Sequence, residues 1–229
     1  MFFINSSLDI GCFPDYLKLA KIVPIYKKDD KHLFKNYRPI SLLPTISKVF
    51  EKVVNGQLIK YLENNKLLSA SQYGFRESHS TELAAIELAE FIQNEIDKNH
   101  IPLVIFLDFS KAFDSIDHNI LLKKLSYYGI KDRQLNWFES YLKNREHFTS
   151  FKNALSQKLP ISNGVPQGSI LGPTLFLIYI NDFCKASDVF GVINFADDSN
   201  LCSSFCPSNK HKQCLKINQK TDLLNDELC

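Results

Sequence analysis

The sequence predicts an α+β fold, with helices packed on one side of a small sheet. Three observations lead there. Short apolar strands are interleaved with helices whose apolar residues recur at helical spacing. Two of the strands, Val104-Ile105-Phe106-Leu107 and Val192-Ile193-Asn194-Phe195, run directly into aspartate-bearing segments. No internal repeat or low-complexity tract breaks the chain, so its 229 residues suit one large domain or two small ones. At 45% hydrophobic residues the chain can bury a real core.

The elements follow in order. Phe13-Pro14-Asp15-Tyr16-Leu17 can start a short helix. Lys21 to Tyr26 alternates as a strand, and Pro24, which lacks an N–H, places it at a sheet edge. Lys27 to Lys35 is a charged loop, and Asn36 to Leu43 is a second strand carrying Arg38. Thr45 is a candidate N-cap for a helix with the stripe Ile46, Val49, Phe50, Val53 and Val54, weakened later by Gly56. A loop spans Ser69 to Arg76, and Ser80 can cap a helix with the stripe Ala85, Leu88, Ala89, Ile92 and Ile96.

The strand ending in Asp108 comes next, then a helix from about Asn119 to Tyr128, stopped by Gly129. A further helix holds Leu135, Trp137, Phe138, Tyr141 and Leu142, and residues 147–161 form a hairpin or extended pair. Asn163 to Ser169 is a turn opening an apolar helix from Ile170 to Phe183. The strand from Val192 ends in an Asp197-Asp198-Ser199-Asn200 turn, and the polar tail after Pro207 closes in a short helix near Leu215–Leu228.

Chemistry enters with the aspartates. An Asp-Asp pair in a loop is usually a solvated turn, because aspartate bonds its own backbone well. The second strand end changes the reading. If the two strands are sheet neighbours, Asp108 meets Asp197 and Asp198, and three clustered carboxylates repel unless a cation sits among them. A hard divalent ion suits such oxygen ligands. Two ions about 4 Å apart can stabilise the attacking and leaving oxygens of phosphoryl transfer.

The formal net charge is only +2, but Lys18, Lys21, Lys27, Lys28, Lys31, Lys35 and Arg38 crowd the first forty positions. Such a run is either a solvated face or a patch that meets phosphates. Six cysteines without regular spacing suit a reducing compartment. Cys202, Cys206, His211 and Cys214 resemble a zinc knuckle only loosely, and Cys202 falls where a strand should enter the core. No apolar run approaches the ~20 residues of a membrane span. The short Met1–Asn5 start lacks a basic leader, so an intracellular protein of the nucleus or cytoplasm is expected rather than a secreted one.

Four motifs in one order then carry a family resemblance: Asn36-Tyr37-Arg38-Pro39-Ile40-Ser41, Phe106-Leu107-Asp108-Phe109-Ser110-Lys111-Ala112-Phe113-Asp114, Gly164-Val165-Pro166-Gln167-Gly168-Ser169 and Phe195-Ala196-Asp197-Asp198. From about Gly11 to Leu201 the chain resembles the reverse transcriptase of a non-LTR, LINE-type, jockey-like retrotransposon. The resemblance implies the fingers and palm of a right-hand polymerase. Residues 1–20 would be an N-terminal fragment, 21–100 fingers, 101–205 palm, and 206–229 a shortened tail.

It further implies RNA-directed DNA synthesis on an RNA template and DNA primer from deoxynucleoside triphosphates, with two Mg²⁺ ions or Mn²⁺. Asp108, Asp197 and Asp198 match the metal-binding catalytic carboxylates, and Phe109 adds its backbone carbonyl. Phe113 matches the aromatic gate against a ribose 2′-hydroxyl. Gln167 and Gly168 match the nucleotide-contacting turn, and Arg38 a fingers arginine for phosphate. Asp114 belongs to its motif for local hydrogen bonding, and Asp117 and His118 are structural. The chain carries no endonuclease region and stops at Cys229, before the family's thumb, so by this resemblance the thumb is absent and the chain alone polymerises poorly. Two alternatives stand beside this: a non-catalytic relic that at most binds nucleic acid, and a reverse transcriptase of mobile-intron or telomerase type.

Overall fold

The computed structural model describes residues 2–109, 111–152, 154–185 and 187–207. Its elements run α1 (Phe2–Ile10), β1 (Leu19–Tyr26), β2 (Tyr37–Leu42), α2 (Thr45–Asn64), α3 (Thr81–Asp97), β3 (Ile101–Asp108), α4 (His118–Tyr127), α5 (Asp132–Leu142), β4 (Arg145–Phe151), β5 (Ala154–Leu155), β6 (Leu159–Ile161), α6 (Gly172–Ile180), β7 (Gly191–Phe195) and β8 (Asp198–Phe205). They form two compact units, one of Met1–Leu67 with Lys111–Tyr179, the other of Leu68–Ser110 with Ile180–Cys229. The units interleave along the chain. The expected helix at 215–228 lies outside the described residues.

The first unit holds a mixed sheet of order β2-β1-β4-β5, with β6 also on β4. β1 runs antiparallel to β2 and parallel to β4. It is therefore an inner strand, not the edge that Pro24 suggested. Pro24 is tolerated because it stands past the β4 pairing and opposite Pro39, which confines both missing donors to one rung.

The core of this unit is aromatic. Phe13 meets Trp137 edge-on at 5.5 Å and Tyr141 at 5.2 Å, while Trp137 and Tyr141 stack at 5.7 Å. Burying a side chain of this kind stabilises by roughly 1.5–3 kcal/mol. Arg145 is buried beside them, its guanidinium 4.9 Å from the Tyr141 ring centre and donating to the Tyr141 carbonyl.

α2 buries Ser47, Phe50, Glu51, Val54, Leu58 and Leu62, and leaves Ile46 and Val49 exposed. The stripe anticipated for it is therefore rotated. A buried glutamate is the cause: Glu51 accepts hydrogen bonds from Ser47 Oγ and from the Ile170 N–H. The helix runs through Gly56 to Asn64.

The second unit is simpler. β8 lies between β3 and β7 in an antiparallel three-stranded sheet. α3 packs on one face of it through Ala84, Leu88 and Phe91 against Val104, Ile193 and Cys202. Ser80 Oγ caps the helix by accepting from the Leu83 N–H, as anticipated. Its inward stripe is again shifted, since Ala85, Ala89 and Ile96 are exposed. Glu95, near the C-terminal end of α3, is buried and accepts from Lys98, His100 and Ser204.

Candidate active site

Cross-strand pairing in the second unit builds the site. Residues directly opposite in an antiparallel pair have Cα atoms ~4.5–5.5 Å apart and side chains on one face. In register, Asp108 stands opposite Asp198, and Asp198 stands opposite Phe195 on its other side. Two rungs along the same face lie Ile193 and Asn200, then Cys202 and Val104 under α3. One end of this face is therefore roofed by a helix, and the other presents two exposed carboxylates.

Asp197 lies between β7 and β8. The turn is Ala196-Asp197, shorter and earlier than the expected Asp197-Asp198-Ser199-Asn200, because Asp198 already opens β8. Ala196 has φ +57°, the positive value that the first central residue of a tight hairpin requires. Glycine or asparagine would have advertised that turn, and alanine did not. The Phe109 ring packs edge-on against Phe183 at 5.5 Å, which anchors the backbone just past Asp108.

The three charges feel each other. Partial desolvation of the otherwise exposed Asp198 carboxyl pushes it above its ordinary pKa, and the negative charges of Asp197 and Asp108 push it further. Among the described residues no group of three His, Cys, Asp or Glu side chains is gathered into a ready-made metal cage. Mutual repulsion opposes such gathering, and a hard divalent cation would offset it. An acidic set whose charges raise the Asp198 pKa in this way fits that cation chemically. The loose zinc pattern gains nothing: Cys202 is buried in β8, and His211 and Cys214 lie outside the described residues.

The remaining site residues sit in the first unit. Gln167 donates through Nε2 to both Asp114 carboxylate oxygens, at 3.0 and 2.9 Å. Both line a cleft of about 340 Å³ with Pro39, Ser41, His147 and Thr149. Arg38 is exposed on β2 and alternates with Pro39 and Ser41, so its side chain is not brought into that cleft. The half-buried Phe113 ring tilts against Phe176 at 5.1 Å.

Gly168 has φ +124°, and a Cβ there would fall 2.7 Å from the Ser41 carbonyl oxygen. Its glycine requirement is met within the fold, where the backbone closely approaches β2. Asp117 caps α4 by accepting from the Asn119 and Ile120 N–H groups. His118 Nε2 lies 2.7 Å from the Gly164 carbonyl oxygen. Lys18 leaves the basic set: it is buried and paired with Asp15 at 2.7 Å, whereas Lys27, Lys28, Lys31, Lys35 and Arg38 are exposed.

Sequence reasoning passed over two buried polar side chains. Glu51 holds the Ile170 N–H just past the Gln167 turn, and Gln72 reaches the backbone of Ala196. No charge pattern marks either residue, and neither lies in the four motifs that carry site residues.

Comparison with known proteins identifies the family. The profile of the reverse transcriptase (RNA-dependent DNA polymerase) family matches residues 25–221. The chain is 33% identical over 219 residues to a probable RNA-directed DNA polymerase from transposon X-element of Drosophila melanogaster, covering 90% of this chain and 23% of that one. It is 34% identical over 179 residues to the RNA-directed DNA polymerase from mobile element jockey of the same fly, covering 78% and 19%. It thus spans about a fifth of the length of these relatives. Among solved structures, an apo telomerase from Candida tropicalis, truncated from its C-terminal domain, superposes with a TM-score of 0.61 at 14% identity, covering 90% of this chain and 46% of that one; this likeness concerns the fold. With the family's profile across most of its length and transposon polymerases as its sequence relatives, the chain belongs to the reverse transcriptase family, as a domain homologous to those of the non-LTR retrotransposons.

Proposed function

We propose that this domain catalyses RNA-templated DNA synthesis, joining a deoxynucleoside triphosphate to a primer 3′-hydroxyl. The observation that carries the proposal is the rung placing Asp108 opposite Asp198, with Asp197 in the adjoining turn. In this reading the three carboxylates and the Phe109 carbonyl hold Mg²⁺, or Mn²⁺. Held there, such ions would supply the positive charge that acidifies the attacking hydroxyl and offsets charge on the leaving pyrophosphate.

The protein's own residues bind and orient. Arg38, exposed on the face of β2 turned away from the Gln167 cleft, would meet phosphate oxygens with its planar donor fork outside that cleft. Phe113 lies under the sugar and excludes a 2′-hydroxyl. Gln167, steadied by Asp114, contacts the nucleotide, and the Gly168 turn carries it. The sheet with the aspartates corresponds to the palm and β1–β2 to the fingers. RNA template and DNA primer are bound through phosphates by the exposed lysines of residues 27–35. Among the described residues no helix is long and apolar enough to cross a membrane, and the four described cysteines are free thiols, as suits an intracellular protein.

Primer extension on an RNA template tests this. Because the relatives are far longer, the assay compares the 229-residue chain with a chimera in which it replaces the matching segment of the jockey polymerase. Mg²⁺-dependent extension by the chimera, abolished by Asp197→Asn, is expected. Extension that survives Asp197→Asn would overturn the proposal.

A further inference from the structure

We propose that Gln72 is a positioning residue that latches the turn presenting Asp197 and Asp198. The inference rests on reading those aspartates as the metal-binding groups, and adds a residue to which that reading assigns no role.

The loop carrying Gln72 runs along β7 on the side away from β8. The Tyr73 N–H donates to the Asn194 carbonyl, and the Asn194 N–H donates to the Ser71 carbonyl, both at 2.8 Å. These bonds form a single parallel bridge between Gln72 and Asn194. Gln72 itself is 3% exposed. Its Oε1 accepts from the Ala196 N–H at 3.0 Å and from the Gly74 N–H at 2.8 Å, and its Nε2 reaches the Ala196 carbonyl at 3.5 Å. One side chain therefore grips both backbone groups of the residue whose φ of +57° creates the turn.

Gly74 completes the grip. A Cβ on it would lie 2.1 Å from the Ala196 nitrogen, so only glycine lets the loop come this close. The loop is anchored without help from the turn. Arg76 Nη1 donates to the Ser69 carbonyl at 2.7 Å, and the Ser69 N–H donates to Asn181 Oδ1 at 2.8 Å.

The geometry explains why such a latch matters. Adjacent residues on a strand point to opposite faces, so only the turn lets Asp197 serve the face that holds Asp108 and Asp198. The orientation of Asp197 depends on the Ala196–Asp197 peptide, and left-handed backbone at alanine is not self-sustaining. The Gln72 carboxamide supplies an acceptor where that peptide's flanking N–H is buried. A metal site tolerates small displacements poorly, and losing the groups that orient ligands typically weakens affinity 10–100-fold.

Two measurements on the 229-residue chain test the latch. Amide hydrogen exchange reads the turn, and Mn²⁺ titration followed by water-proton relaxation reads the site. Gln72→Met keeps the length and removes the acceptor. It is expected to speed exchange at Gly74 and Ala196 by roughly tenfold or more and to weaken Mn²⁺ binding roughly tenfold, with Leu201 and Cys202 of β8 unchanged. Gln72→Glu keeps an accepting oxygen and is expected to retain the slow exchange. Gly74→Ala, which displaces the turn sterically, should reproduce the signature of Gln72→Met and decides the matter should that variant not fold. Unchanged exchange at Ala196 in both disruptive variants, unchanged Mn²⁺ affinity despite a loosened turn, or acceleration spread evenly over α3, β7 and β8 would each overturn the proposal. A wild-type chain that binds no Mn²⁺ would refute the metal reading instead, while the exchange comparison still decides whether Gln72 holds the turn.

Discussion

Asp198 carries a charge that the fold disfavours. Partial desolvation, then Asp197, then Asp108 raise its pKa, so between the ordinary and the raised value the folded chain binds more protons than the unfolded one. Stability therefore falls as pH rises through that window. Asp198→Asn removes the cost, and is expected to raise the thermal midpoint slightly at neutral pH and flatten its pH dependence in the window above the ordinary aspartate pKa. In the jockey chimera the same change should cut primer extension on the order of a hundredfold or more, since metal charge stabilisation is worth several kcal/mol. Thermal denaturation and extension rates, read in parallel, check both. These aspartates were legible in the sequence because each ends an apolar run. Gln72 was not, because an uncharged loop glutamine looks the same whether it faces solvent or grips a buried turn.

Elements show where periodicity succeeds and where it misleads. The existence of α2 to α6 was readable from apolar spacing, but α1 and the inward faces of α2 and α3 were not. Each buries a glutamate, Glu51 or Glu95, that takes one of its hydrogen bonds from a distant segment, at Ile170 or Ser204. No count of apolar residues can anticipate that. Hydrogen bonds from Lys98, Ser204 and His100 hold the Glu95 carboxyl down at about 2. Because the folded pKa is depressed, this stabilisation is present above about 4.5 and is lost as pH falls toward about 2. Acid unfolding followed by circular dichroism should show Glu95→Gln less stable than wild type at neutral pH, with a shallower loss across that window. At the Gln167 turn, Gly168→Ala would place a Cβ 2.7 Å from the Ser41 oxygen at φ +124°. It is expected to destabilise the protein by about 1–3 kcal/mol in denaturant titration.

At the scale of the whole molecule, the α+β class and the family were legible because four motifs keep their order, while the interleaving of two units was not. Each unit is closed by pairings between distant segments, β1 with β4 in one and β3 with β8 in the other. Strand signals alone do not say which strands pair. Nucleic-acid binding is expected to weaken steeply with salt, by about 0.7–0.9 in log affinity per log salt for each phosphate contact. Replacing Lys27, Lys28 and Lys31 together by alanine should flatten that slope in filter-binding or anisotropy titrations. Lys18→Ala should leave the slope unchanged, because that lysine is buried against Asp15.

The most direct test of the shared carboxylate site is Mn²⁺ binding to the 229-residue chain, measured by electron paramagnetic resonance in wild type, Asp108→Asn and Asp197→Asn. The two positions are distant in sequence and meet only through the β3–β8 and β7–β8 pairings. Saturable binding that Mg²⁺ displaces, weakened at least roughly tenfold by either substitution, is the predicted result. Binding that either variant retains at wild-type affinity would contradict a site built from both strand ends.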